Sequence, residues 1–167
     1  MLIGLPGAGK SSAGRSAAAQ LGVAFVDLDE RIAFEAGKTV PEILKELGEG
    51  AFRSLERDLM LNALAEPPQV IASGGGWAAQ PGNLEAVAGR GIVIYLETTP
   101  EAAAERVGDA EDRPILHGHS VLEKQRELLG RREKYYRRAN HTIKTDGMTD
   151  TLVGSAIAAL ARRHGGL

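Results

Sequence analysis

Five short apolar runs, separated by stretches with helical spacing, limit what this chain can fold into. The runs are Met1–Ile3, Val23–Asp27, Val70–Ala72, Ile92–Leu96 and His141–Lys144. Short apolar strands alternating with helices are the pattern of a parallel sheet covered by helices on both faces. Helices are predicted from about Gly9 to Leu21, Glu30 to Ala36, Pro41 onward, Glu49 to Leu64, Pro81 to Ala88, Pro100 onward, Ser120 to Arg138 and Thr149 onward. Gly22 and Gly37 stop two of these helices, and Pro41 stands at a permitted first-turn position. In such sheets ligands bind beyond the carboxyl ends of the strands. Gly4–Ser12, Asp27 with Asp29, and Gly74–Gly76 all fall at such ends.

The first of these clusters has a specific chemistry. Gly4, Gly9, Lys10 and Ser11 match G-x-x-x-x-G-K-[ST], between a predicted strand and a predicted helix. Glycines there let backbone N–H groups converge on phosphate oxygens, and the helix N-terminus favours negative charge. Pro6, Gly7, Ala8, Gly9, Lys10, Ser11 and Ser12 are the predicted phosphate cradle. Lys10 would reach the β- and γ-phosphates, and the Ser11 hydroxyl would ligate Mg²⁺. The sequence Phe25–Glu30 adds a D-x-D. Read as a strand, it points Asp27 and Asp29 the same way. One carboxylate can support Mg²⁺ and the other can take a hydroxyl proton, which is most of what phosphoryl transfer needs.

Four further stretches bear on the phosphate acceptor. In Gly48–Glu56, Arg53 lies beside the apolar stripe Phe52, Leu55, Leu59 and Ala63, with Glu49 and Glu56 placed to hold its guanidinium. Gly74, Gly75 and Gly76 permit close backbone approach to a small ligand. Arg113 lies in the polar stretch 108–118, which reads as a lid that excludes water. On the helix after Ser120, Val121, Gln125, Leu128, Arg132 and Tyr135 share one face, which turns Arg132 inward and Arg131 out. An inward arginine requires an anionic partner, either a substrate or a protein carboxylate.

Taken in order, GLPGAGKS, DLD, GEGAFRSLE, SGGG, RPIL and RREKYYRR resemble shikimate kinase over essentially the whole chain. The resemblance implies a P-loop NTPase fold: a three-layer α/β sandwich with a five-stranded parallel sheet, a small lid and a substrate-binding helical region. One domain, 1–167, would contain a substrate-binding region over 29–64 and the lid over 108–118. The implied reaction moves the ATP γ-phosphate to the 3-hydroxyl of shikimate, a step toward chorismate and the aromatic amino acids. Asp29 would hold the acceptor hydroxyl, Arg53 and Arg132 would grip the carboxylate, and Gly75, flanked by Gly74 and Gly76, would present backbone to shikimate. Arg106 would stack on adenine, Arg113 would cover ATP, and Asp27 would lie near Mg²⁺. Lys10, Asp29 and Arg113 are thus the implied catalytic set. Leu44, Trp77 and Thr149 depart from the usual pattern.

Two alternatives stay open from the residues alone. One is another small P-loop kinase, acting on gluconate or a nucleotide. The other is a nucleotide-binding module without catalysis. Composition narrows the rest. The 167 residues carry a net charge of −2, so neither a nucleic-acid nor a membrane partner is expected. There is no cysteine, which excludes a disulfide framework and is compatible with the cytoplasm. No signal peptide is evident, no run approaches the ~20 apolar residues of a membrane span, and a monomer is expected.

Overall fold

The computed structural model describes residues 1–108 and 120–164. Arg113, and all of the stretch 108–118 except Gly108, lie outside the described residues. The elements run β1 (Leu2–Ile3), α1 (Lys10–Leu21), β2 (Ala24–Asp27), α2 (Leu28–Ala36), α3 (Val40–Ala63), β3 (Gln69–Ala72), a single 3₁₀ turn (Trp77–Ala79), α4 (Asn83–Val87), β4 (Ile94–Glu97), α5 (Pro100–Gly108), α6 (Val121–Tyr136), β5 (His141–Lys144) and α7 (Asp150–His164). Every strand pair is parallel, in the order β2-β3-β1-β4-β5. The chain is a three-layer α/β sandwich, as its alternation of strands and helices predicts.

β1 is only two residues long yet central, because Leu2 and Ile3 are wholly buried between β3 and β4. The strand order reverses beside it, which is where an open α/β sheet places its ligand crevice. Register does the rest. Ala72 lies level with both Leu2 and Asp27. The loops after β1, β2 and β3 therefore leave the sheet side by side, carrying Gly4–Gly9, Asp29 and Ser73–Gly76 to one edge.

Several boundaries differ from the sequence reading. β4 starts at Ile94 rather than Ile92, opposite the first residue of β5, His141. The predicted helix over Pro81–Ala88 shrinks to α4, preceded by the 3₁₀ turn. The helices after Pro41 and after Glu49 are one element, bent at Gly48, whose left-handed φ of 80° interrupts it. A capping box between Thr39 and Glu42 starts that element. The larger correction concerns Asp29. It does not sit on a strand; it lies in the first turn of α2, and Asp27 is that helix's N-cap. The strand-face argument for the pair therefore fails, and their proximity comes from capping instead.

α1 packs against both the sheet and α7 through small residues. A Cβ on Gly154 of α7 would lie 2.7 Å from Ser16 Cβ and 3.1 Å from the Ala17 backbone nitrogen. Contacts that short force the helices apart. Gly154→Val should destabilise the protein by about 1–3 kcal/mol through overpacking, lowering the melting temperature by roughly 2–12 °C in a thermal denaturation experiment.

Candidate active site

The phosphate loop closes on itself before any ligand is considered. Gly9, with φ 82°, is the left-handed N-cap of α1. Lys10 is almost fully buried, and its Nζ donates to the carbonyls of Gly4 at 3.0 Å and Leu5 at 2.8 Å. Burial pulls its pKa down to about 8, against the attraction of Asp29 and Asp27, which raise it. Arg132 adds to the lowering. The Ser11 hydroxyl donates to Asp27 Oδ2 at 2.5 Å. The other Asp27 oxygen accepts from the backbone N–H groups of Asp29 and Glu30. Asp27 thus ties the phosphate loop to the start of α2.

These groups line a cavity of about 520 Å³ with Pro6, Gly7, Gly9, Ser12, Asp29, Ser73, Gly75, Arg106 and Asp150. Of the predicted cradle only Ala8 is set back: it is buried, and its amide donates to the Leu5 carbonyl. Arg106 Nη1 donates to the Gly7 carbonyl at 3.2 Å. Ser11 and Asp27 offer adjacent oxygens suited to a hard cation. No group of three or more acidic, histidine or cysteine side chains that could hold a metal occurs among the described residues. An ion here would take its remaining ligands from phosphates and water, as Mg²⁺ does.

Beyond the cavity stands a ridge made by Gly74–Gly76. None of the three has positive φ; each is glycine because of what it faces. A Cβ on Gly74 would lie 2.5 Å from Glu56 Oε1 and 2.9 Å from Asp29 Oδ1. On Gly75 it would meet the Pro6 ring at 2.9 Å. On Gly76 it would lie 3.0 Å from Arg53 Nη2 and 3.3 Å from Arg132 Nη2. The ridge therefore collects Asp29, the phosphate loop and both arginines in sequence. Tyr136 holds it from behind, its hydroxyl donating to the Gly75 carbonyl at 2.5 Å. Ser73 Oγ fastens it to β1 through the Leu2 carbonyl.

A model of the family described as shikimate kinase matches residues 6–161. The chain belongs to the shikimate kinase family. A shikimate kinase from Mycobacterium avium is 43% identical over 146 residues, covering 87% of this chain and 82% of that protein. The solved shikimate kinase from Acinetobacter baumannii in complex with shikimate is 35% identical, with a TM-score of 0.84 over 97% of this chain and 91% of that one. A gluconokinase from Sinorhizobium meliloti, 21% identical with a TM-score of 0.65 over 98% of this chain and 91% of that one, shares the fold alone.

Within this family member the two arginines differ in how they are held. Arg53 pairs with Glu56 at 2.8 Å and Glu49 at 3.3 Å, as its spacing on α3 predicts. The burial of Glu56 was not foreseen: it is 1% exposed. Burial pushes its carboxyl above the ordinary range, the Arg53 hydrogen bond opposes this, and Asp29 reinforces it. Among the described residues Arg53 Nε and Glu56 Oε1 have no hydrogen-bond partner, so this ion pair retains unused capacity. Arg132 has no carboxylate partner in an ion pair among the described residues.

Three departures from the family pattern also have locations. Leu44 is 37% exposed on the first half of α3. Trp77 is buried in the 3₁₀ turn, where its amide donates to the Gly74 carbonyl and its own carbonyl accepts from Asn83. Thr149 caps α7 through Leu152. Sequence reasoning missed Asp150 and Tyr136 as site residues. It placed Gln125 inward without seeing that its Nε2 reaches the Pro6 carbonyl. The inward face of α6 is rotated slightly from the predicted stripe. Val121 is exposed, and Tyr136 rather than Tyr135 is fully buried. The stripe's assignment of Arg132 survives this rotation; Arg131 points out, its side chain 73% exposed and paired with Glu127.

If Arg132 grips the carboxylate of the acceptor, Arg132→Ala should weaken acceptor binding by about 2–5 kcal/mol, the cost of leaving one member of a hydrogen-bonded charge pair without the other. Arg131→Ala should stay within about 0.5 kcal/mol of wild type. Steady-state kinetics with varied shikimate at saturating ATP measures both; equal effects would show that Arg132 is no carboxylate ligand.

Proposed function

We propose that this chain transfers the γ-phosphoryl group of ATP to the 3-hydroxyl of shikimate, a step in the synthesis of chorismate and the aromatic amino acids. The observation that carries this reading is the glycine ridge, with two guanidinium groups at Gly76 and the Asp29 carboxylate at Gly74. A ligand lying along it meets a clamp for a carboxylate at one end and a proton acceptor at the other, with the phosphate loop alongside. Shikimate carries both groups on one ring. Paired arginines suit bidentate recognition of its carboxylate. A nucleotide acceptor would instead call for recognition of a base and a phosphate.

Asp29 accepts the proton of the 3-hydroxyl as that oxygen bonds to the γ-phosphorus and the bond to the bridging oxygen of ADP breaks. Lys10 leaves the carbonyls of Gly4 and Leu5 for the β- and γ-phosphates and stabilises their charge in the transition state. Mg²⁺ bound through Ser11, and through water to Asp27, would neutralise part of the phosphate charge. Arg106 closes the nucleotide side over adenine. Every proposed ligand comes from one chain, which supports a monomer as the working unit. The supply of ATP points to the cytoplasm.

ADP release with ATP, Mg²⁺ and shikimate, gluconate or nucleoside monophosphates tests the reading; turnover with gluconate or a nucleotide in preference to shikimate would overturn it. Asp29→Asn should still bind ATP but lose turnover, whereas Lys10→Ala should bind ATP more weakly and also lose turnover, as shown by equilibrium binding beside single-turnover rates. Near wild-type turnover by Asp29→Asn would remove it as the base.

The depressed Lys10 pKa adds a pH signature. The folded value, about 8, lies below the ordinary 10.5. The ligand-free fold is thus disfavoured by the ammonium below pH 8 and gains stability as pH rises from there toward 10.5. ATP supplies the opposite charge and restores the proton. At about pH 9, one unit above the folded value, ATP binding should take up about nine-tenths of a proton; at about pH 7 Lys10 should contribute only about a tenth. Titration calorimetry in two buffers of different ionisation enthalpy measures this, and Lys10→Met should abolish the uptake.

A further inference from the structure

Gln125 is a polar residue at a position on α6 where packing alone would favour an apolar one. It is 3% exposed and shares the inward face of the helix with Leu128 and Tyr136. Burying an amide costs free energy unless it is bonded. Among the described residues its Oε1 has no partner. The bond that it does make therefore has to account for its presence. That bond runs from Nε2 to the Pro6 carbonyl at 3.2 Å. A leucine would fill much the same space without a buried polar atom.

Pro6 belongs to the phosphate loop and lines the cavity. Proline has no N–H, so its carbonyl is the one backbone group by which the loop can be held at this point. Among the described residues no backbone N–H binds that carbonyl. The other side of Pro6 is pressed on the ridge, its ring 2.9 Å from where Gly75 would carry a Cβ. Pro6 is thus pinned between Gly75 and Gln125. The same helix completes the circuit. Tyr136, about three turns beyond Gln125, donates to the Gly75 carbonyl at 2.5 Å. Arg132, between the two, lies at Gly76. One helix therefore holds the phosphate loop near one end and the acceptor ridge near the other, and carries an acceptor-side arginine between them.

We propose that Gln125 is a positioning residue for phosphoryl transfer: its hydrogen bond to the Pro6 carbonyl fixes the phosphate loop relative to α6, and so sets the separation between the γ-phosphate and the acceptor hydroxyl. The donor is held by the loop that contains Pro6, and the acceptor by Arg132 and the ridge. In-line transfer depends on the distance between the two reacting atoms, and about 1 Å of misplacement can cost on the order of a hundredfold in rate. Gln125 does not line the cavity, so it acts through Pro6 and not on a substrate. This inference rests on the kinase reading above and deepens it.

The experiment separates binding from transfer. Gln125→Met keeps the length of the side chain and removes the donor. Equilibrium titration gives the Kd of shikimate and of a non-hydrolysable ATP analogue. Rapid-quench single turnover with saturating ATP, Mg²⁺ and shikimate gives the transfer rate. In Gln125→Met both Kd values should change little, while the transfer rate should fall by about ten- to a hundredfold, between the loss of one hydrogen bond and a shift of about 1 Å. Gln125→Asn, whose amide ends one methylene short, should fall between Gln125→Met and the wild type.

A wild-type transfer rate in Gln125→Met overturns the proposal, even where a ligand binds more weakly, because Gln125 then only supports a binding site. A slowed rate accompanied by comparable losses in both affinities also overturns it, since that reports a loosened fold. If Gln125→Met does not fold, Gln125→Asn decides: a wild-type rate excludes positioning, and a slowed rate with both affinities kept supports it. Failure of the wild type to phosphorylate shikimate from ATP would be a separate result that overturns the kinase reading and this proposal together.

Discussion

The site depends on a steric constraint: three successive residues after β3 leave no room for a Cβ. Gly74, Gly75 and Gly76 each press against a different partner, namely Glu56 with Asp29, the Pro6 ring, and the guanidinium groups of Arg53 and Arg132. These partners come from α2, α3, α6 and the loop after β1. The ridge is the common surface against which they are all aligned. Interiors are close-packed and transmit small displacements rather than absorbing them, so bulk at one of these positions moves parts of both substrate sites.

Charge is the second organising term. Lys10, Glu56 and Arg53 are taken largely out of water within a small volume, and burial opposes the charged form of each acid and amine. The lowered Lys10 and raised Glu56 values follow from this. The buried Arg53 Nε and Glu56 Oε1 atoms, without partners among the described residues, belong to the same picture. Buried polar groups in native proteins are nearly always bonded, and exceptions concentrate where a ligand or water completes the set. The ion pair between Arg53 and Glu56 fixes the guanidinium while leaving capacity for an anion.

Much of this was legible from the chain alone. The phosphate loop announced itself by spacing, and Arg132 was separated from Arg131 by helical phase. Glu49 and Glu56 were placed beside Arg53 by the same periodicity. Asp27 and Asp29 were paired correctly for an incorrect reason. A D-x-D at a strand end looks like two residues on one face, but β2 ends at Asp27 because its side chain caps α2. Local spacing cannot distinguish these cases, since both leave the carboxylates close together. The glycine triplet was read as space for a ligand; in the folded chain that space also admits the protein's own charged side chains.

The sequence by itself determined the main elements and their chemistry: which runs become strands, which stretches become helices, and which residues carry groups suited to phosphate and carboxylate. These are local properties, set by propensity, capping and periodicity within a few residues. Only the tertiary structure decided what those groups meet. The register of Ala72 with Leu2 and Asp27 brings three loops to one edge. The close contact of α1 with α7 sets Asp150 beside Gly9 across most of the chain's length. The burial of Glu56, which reads as an ordinary surface acid in sequence, exists only once Gly74 is packed against it. Contacts between residues this far apart arise from the arrangement of whole elements, and no local pattern of side chains encodes it.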